Sequence, residues 1–350
     1  MISKPYLLFV GDAPSEPVAK TAFGVRDWLP GDVVGQLRLP GCGVDLGLPD
    51  LSPTQARDAG AKSMLLGIAP IGGAIPDSWI PSLAAALEAG LDLVSGLHTR
   101  LAELIPVRRA AERLGRTLHD VRHVRGTFPV ANGRRRSGKR LLTVGTDCAL
   151  GKKYTALALT NAMLARGVKA TFRATGQTGI MIAGEGIPID SVVADFVAGA
   201  AECLSPDAAP DHWDVIEGQG ALFHPAYAGV CLGLLHGSQP DALVVCHDPL
   251  RETLNGYPDY PLPSLPVAMS RYLEAAQLTN PDVCVVGISL NTSHMRPDAA
   301  QSLMSALEAE HSLPCFDPLR SDLNPAVDRL LSATAATSAA RAREVEVSRG

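Results

Sequence analysis

The stretch Leu141-Leu-Thr-Val-Gly145-Thr146-Asp147-Cys148-Ala149-Leu150-Gly151-Lys152-Lys153-Tyr154-Thr155 is the most informative part of the chain. An apolar run ends in glycine, a short loop follows, and Gly151-Lys152 opens a helical pattern whose apolar positions continue through Leu157, Leu159, Met163 and Leu164. Strand, loop, lysine and helix in that order form a phosphate-binding P-loop. Backbone N–H groups of residues 148–152 and the helix N-terminus surround the anion, and the Lys152 ammonium adds a point charge. Gly145, Thr146, Asp147, Cys148, Ala149, Leu150, Gly151, Lys152, Lys153, Tyr154 and Thr155 are accordingly read as cofactor-binding. The bland alternative is a glycine-containing turn packed under a helix.

The loop departs from G-x-x-x-x-G-K-[ST] at two positions: Thr146 stands at the first glycine and Lys153 at the hydroxyl residue. That hydroxyl ordinarily ligates Mg²⁺ between phosphates, and a second ammonium there repels the metal. Thr155 could replace it only from another angle of the helix. The loop therefore suits a diphosphate better than Mg²⁺-dependent phosphoryl transfer, and no metal ligand set is assigned.

Downstream, apolar runs at 140–146, 169–175, 215–217, 242–247, 284–290 and 315–317 alternate with helical patterns at 152–166, 191–204, 266–278 and 299–311. This predicts a P-loop NTPase-like, mostly parallel, doubly wound sheet over residues 140–335, with ligands beyond the carboxyl ends of its strands. Upstream, strand-like runs at 6–10, 63–69 and 91–95 and helical patterns at 81–89 and 100–114 predict a smaller Rossmann-like α/β domain over residues 1–130. Its loop Gly67-Ile-Ala-Pro-Ile-Gly-Gly73 lacks the G-x-G-x-x-G spacing of a dinucleotide site. Residues 131–139 read as a linker and residues 336–350 as a tail that frays.

Composition agrees with an α/β protein: 46% hydrophobic, 19% charged and only 5% aromatic residues. The net charge of −5 hides an uneven distribution, because eleven of the 31 Lys and Arg lie between Arg108 and Arg140 beside only Glu112 and Asp120. This run is either a solvated connection or a lure for an anionic cofactor; without interleaved aromatics it does not read as a nucleic-acid surface. The apolar run at the N-terminus is short for a signal peptide, and no stretch reaches the roughly 18 apolar residues of a membrane span. The expectation is a cytoplasmic protein with no nucleic-acid or membrane partner. Seven scattered cysteines without a C-x-x-C pair argue against a disulfide framework and a zinc ribbon. His119 and His123 have i,i+4 spacing, but neighbouring arginines disfavour a metal there.

Three more loops follow predicted strands and gather at the same sheet edge. In Glu217-Gly-Gln-Gly220, the acid ends a strand where P-loop proteins place a metal-supporting carboxylate. Glu217 is the first choice for general base, with His224 and Asp147 as further candidates; the alternatives are an ion pair of Glu217 with Lys152 and an ordinary loop histidine. Arg173, Gln177, Thr178 and Gln219 are read as substrate-binding, with a structural ion pair as the alternative for Arg173. Asn291 either reads an adenine edge or forms a turn.

GTDCALGKKYTALAL, RATGQTGI, DVIEGQGALFHPAYAGV, GLLHGSQPDALVVCHDP and, upstream, DLGLPD, PDSWIP and SGLHTRL together resemble the DgcN-like family, D-glutamate N-acetyltransferases formerly known as a domain of unknown function. The resemblance runs to about Asp328. It implies transfer of an acetyl group from acetyl-CoA to the amine of an acidic D-amino acid, D-glutamate first, opening its catabolism, by a homodimer or higher homo-oligomer. The loop GTDCALGK is also similar to that of dethiobiotin synthetases. Two other readings stay open on the residues: an ATP-Mg-dependent ligase or kinase of that kind, and a nucleotide-sensing binding protein without chemistry.

Overall fold

The computed structural model describes residues 1–334 apart from Ala69, Ile71, Gly72 and Arg125. The expected fraying tail lies outside the described residues, as does part of the Gly67–Gly73 loop. The chain divides into two compact units, one of residues 1–126 and 176–191, the other of 127–175 and 192 onward.

In the first unit, β1 (Tyr6–Gly11), β2 (Val33–Arg38), β3 (Ser63–Leu66), β4 (Asp92–Ser95) and β5 (Leu118–Asp120) form a parallel sheet in the order β2-β1-β3-β4-β5. All six residues of β1 are buried, as a central parallel strand covered on both faces requires. The helices are α1 (Lys20–Trp28), α2 (Pro53–Asp58), α3 (Ile80–Glu88) and α4 (Ile105–Leu114). The last stops at Gly115, whose φ of 64° is the left-handed conformation that ends a helix. The i,i+4 spacing of His119 and His123 does not fall on a helix: His119 lies on β5, and His123 follows in a turn with Nε2 3.1 Å from the His98 carbonyl oxygen.

The second unit starts with β6 (Lys139–Gly145), α5 (Lys152–Ala165) and β7 (Ala170–Arg173). The chain then contributes α6 (Gln177–Ala183) to the first unit, where the Tyr6 hydroxyl donates to the Met181 carbonyl. It continues through α7 (Val197–Leu204), β8 (Trp213–Ile216), α8 (Ala228–Ser238), β9 (Ala242–His247), the short strands β10 (Thr253–Leu254) and β11 (Tyr257–Pro261), α9 (Leu265–Gln277), β12 (Cys284–Leu290), α10 (Pro297–His311) and β13 (Cys315–Phe316). The sheet order is β13-β12-β9-β6-β8-β7, every pairing parallel, and β10 and β11 form a separate antiparallel hairpin. One face of the sheet is packed by Leu141, Leu159, Met163, Trp213, Val215 and Val244.

This order sets β6 between β8 and β9, so the loops after all three strands converge. The basic run enters at the other end of β6, and acids absorb its charge. Arg134 pairs with Asp207, Arg135 with Asp241 and Arg136 with Glu202, while Arg140 Nε donates to Ser205 Oγ at 2.9 Å. Burial pushes Arg136 down to about 10, and its Nη2 caps the end of α8 through the Gly237 carbonyl. These contacts tie the Arg134–Arg140 part of the run to α7 and α8 as a structural connection.

Candidate functional site

The phosphate loop leaves β6 at Gly145 and closes at Gly151, whose φ of 101° starts α5 from a left-handed turn. Lys152 is 7% exposed, and its Nζ donates to the Asp147 carbonyl oxygen at 2.8 Å, folding the ammonium back over the loop. Thr155 is fully buried; its hydroxyl donates to the Gly151 carbonyl and contacts Ser289 Oγ at 2.7 Å, so it points at the sheet. Lys153 lies with Nζ 4.6 Å from the Tyr154 ring centroid. The Thr155 hydroxyl therefore does not take the place of the usual Mg²⁺ ligand.

Asp147 is fully buried and holds the loop to its neighbours. One oxygen accepts the Cys148 N–H; the other accepts Arg251 Nη1 and the Asn255 N–H, both at 2.7 Å. Arg251 also donates to the carbonyls of Cys148 and Ala149. Burial pushes the Cys148 thiol up, which keeps it protonated at neutral pH. Thr146 Oγ1 lies 3.0 Å from Nδ1 of His247, and burial lowers the His247 pKa.

His224 is 1% exposed, stacked on Tyr227 with centroids 4.6 Å apart and edge-on to Tyr257 at 4.9 Å. Its Nδ1 accepts the Ala226 N–H and its Nε2 faces the Asn255 carbonyl, an arrangement that assigns the neutral Nε2–H tautomer. Asp147, Cys148 and His224 each bring one ligand-type atom within 4.8 Å of the others. Asp147 and His224 are held by the hydrogen bonds just described, and the Arg251 guanidinium stands against Asp147.

Glu217 follows β8 and is 4% exposed; Oε2 accepts the Thr175 N–H at 2.9 Å and its carbonyl accepts the Thr175 hydroxyl at 2.7 Å. Gly218 is dictated by crowding, since a Cβ there would sit 1.7 Å from the Thr143 carbonyl oxygen and 3.0 Å from Lys152 Cδ. Gln219 stands half-buried beside it.

Of the other sequence candidates, Arg173 and Asn291 are engaged by structural partners. Arg173 Nε donates to Asp214 at 2.7 Å, so it is the structural ion pair. Gln177 and Thr178 lie on α6 in the first unit, where the Thr178 hydroxyl is 3.3 Å from that of Thr21. Asn291 forms a turn: its Oδ1 accepts Ser293 Oγ and its Nδ2 donates to Asp248.

Sequence reasoning missed Arg251, Asn255, His247 and Tyr272. Asn255-Gly256 is the strongest short hairpin signal available, flanked by Leu254 and Tyr257, and it would have found β10 and β11. Tyr272 left no such mark. Buried on α9, it donates to the Gly145 carbonyl at 2.8 Å and accepts the Leu222 N–H at 3.1 Å, joining the phosphate loop to the loop after β8.

Family models described as the P-loop domain and the Rossmann-like domain of DUF1611, a domain of unknown function, match residues 129–330 and 37–124 respectively. The chain belongs to the DUF1611 family. A relative from Tritonibacter scottomollicae, named D-glutamate N-acetyltransferase, is 51% identical over 94% of this chain and 99% of its own. One from Pseudoalteromonas sp., with the same name, is 46% identical over the same shares. A crystal structure of a DUF1611 family protein from Anabaena variabilis, 33% identical, covers 94% of this chain and 100% of its own with a TM-score of 0.83. These matches establish the two-part architecture, Rossmann-like then P-loop, that the strand patterns predicted.

Proposed function

We propose that this DUF1611 protein is an N-acetyltransferase that moves an acetyl group from acetyl-CoA to the amine of D-glutamate, as the opening step of that amino acid's catabolism. The near full-length identity to two proteins bearing that name carries the reading. The chemistry of the loop supports it. Coenzyme A brings a pyrophosphate, which the N–H groups of residues 148–152 and Lys152 suit, and it needs no Mg²⁺ hydroxyl in the position where Lys153 stands.

In this reading the substrate ammonium loses a proton and the free amine attacks the thioester carbonyl. Backbone N–H groups stabilise the tetrahedral oxyanion, the C–S bond breaks, and the departing CoA thiolate takes up the second proton lost by the attacking nitrogen. Among the three acid-base candidates Glu217 remains the first choice. All three are hydrogen-bonded, Glu217 Oε2 to the Thr175 N–H and the His224 nitrogens and Asp147 oxygens to their own neighbours, and Glu217 is preferred because it follows β8 at the sheet edge where the phosphate loop leaves β6.

A calorimetric titration of the full-length protein with acetyl-CoA, and separately with ATP and Mg²⁺, tests the reading together with an assay of D-glutamate acetylation. Acetyl-CoA binding with formation of N-acetyl-D-glutamate is expected. Tight ATP-Mg binding without acetyl-CoA binding would overturn it in favour of the ligase or kinase class.

A further inference from the structure

We propose that Arg251 binds a carboxylate of the acidic acceptor through the guanidinium edge shared by Nε and Nη2. The inference rests on the acetyltransferase reading and names the group that selects its substrate. Recognition of a carboxylate by two parallel N–H···O bonds calls for an arginine, because only the planar fork matches both oxygens. Arg173 does not serve, since Asp214, itself 2% exposed, holds its Nε.

Arg251 has the opposite arrangement. Its Nη1 donates to Asp147 Oδ2 and to the Cys148 carbonyl, both at 2.7 Å, and its Nη2 reaches the Ala149 carbonyl at 3.4 Å. These bonds use the end of the fork. Nε has no acceptor among the described residues; Nη2 makes a long ion pair with Asp248 Oδ2 at 3.9 Å, with no hydrogen bond between them. The side chain is 22% exposed, and the Nε–Nη2 edge is the part of the guanidinium that the bonds to the phosphate loop leave unused. The loop fixes the plane of the guanidinium in advance, so little side-chain freedom is lost when a ligand arrives.

Arg251 grips the phosphate loop by carbonyl oxygens, whereas a bound phosphate meets the N–H groups and Lys152. The unused edge therefore serves a second anion. That anion is either an acceptor carboxylate or a further phosphate of the cosubstrate. Placement favours the carboxylate: Asp147, which Arg251 touches, lies within 4.8 Å of a His224 ring nitrogen and of Cys148 Sγ, where the loops after β6 and β8 meet.

Steady-state kinetics of Arg251→Lys and Arg251→Gln test the proposal, with D-glutamate and its two monoamides as acceptors and acetyl-CoA and acetyl-dephospho-CoA as donors. Lysine keeps a cation for Asp147 but lacks the edge. For Arg251→Lys, KM for D-glutamate should rise about tenfold or more and by clearly more than KM for acetyl-CoA, in line with loss of a charge-assisted pair of hydrogen bonds. Preference for D-glutamate over its monoamides should shrink. An unchanged KM for D-glutamate overturns the proposal. So does a rise confined to acetyl-CoA with lost discrimination against acetyl-dephospho-CoA, because the anion is then the 3′-phosphate. Failure of the wild type to acetylate D-glutamate defeats the acetyltransferase reading instead. Calorimetry of D-glutamate alone then decides the matter for Arg251: binding that the Lys variant loses supports it, and no binding by the wild type overturns it.

Discussion

At Gly218 the backbone of one loop meets the carbonyl of the neighbouring strand with no room for a methyl group. Gly218→Ala must push the 217–220 loop off Thr143 and Lys152. We expect acetylation to fall about a hundredfold, since a displacement on the order of 1 Å at a reacting centre has that effect, measured as kcat/KM against D-glutamate. Glu217→Gln preserves shape and the acceptor oxygen for the Thr175 N–H but removes the base. Turnover should be abolished while calorimetric acetyl-CoA binding stays intact; near-normal acetylation removes Glu217 from the mechanism. Lys152→Met keeps the buried aliphatic stem and deletes the charge. The dissociation constant for acetyl-CoA should rise by about tenfold or more, and the effect should diminish in high salt. These residues were legible because glycine, lysine and glutamate sit at fixed offsets from strand ends. Arg251 was not, as its partner Asp147 is remote in sequence and only the fold joins them.

Among the elements, α9 and the β10-β11 hairpin do for the site what the phosphate loop cannot do alone. The loop's N–H groups are arranged by local geometry, but its position relative to the loop after β8 depends on Tyr272, whose hydroxyl bridges Gly145 and Leu222. Burial raises the Tyr272 pKa well above the usual phenol value, so it is a neutral donor at any working pH. Tyr272→Phe leaves the Gly145 carbonyl and the Leu222 N–H without that partner in a buried place. It should destabilise the protein by about 1–3 kcal/mol, read from urea denaturation, and raise KM for acetyl-CoA more than it lowers kcat. The hairpin hangs on Asp147 through the Asn255 N–H and carries Tyr257 against His224. Its Asn-Gly turn was legible in the sequence. The attachment was not, because a backbone N–H that finds a distant carboxylate leaves no trace in composition or spacing.

For the whole molecule, the near-neutral charge of −5 results from a strongly basic run answered by acids scattered over the rest of the chain. Asp207 shows the consequence. Hydrogen bonds from the Ser137 N–H first, and then from Arg134, hold its carboxyl down at about 2, below the ordinary 3.8. A depressed carboxylate contributes stability above its unfolded pKa and loses it as pH falls through the folded one. Melting temperatures measured from pH 5 down to pH 2 should therefore fall more steeply for the wild type than for Asp207→Asn, the two curves converging towards pH 2. By itself the sequence determined that this is an α/β protein with a phosphate loop, and which family it belongs to. Strand and helix periodicity and the order strand, glycine, lysine, helix are local properties that survive without the fold. Only the tertiary structure decided which charged groups are free to act. It locked Arg173 onto Asp214, turned Thr155 towards Ser289, assigned the basic run to Asp207, Asp241 and Glu202, and brought Arg251 to the loop with one edge unused. The reason is physical: a buried charge or hydroxyl goes to whichever partner packing places within hydrogen-bond reach, and here those partners stand tens of residues away along the chain.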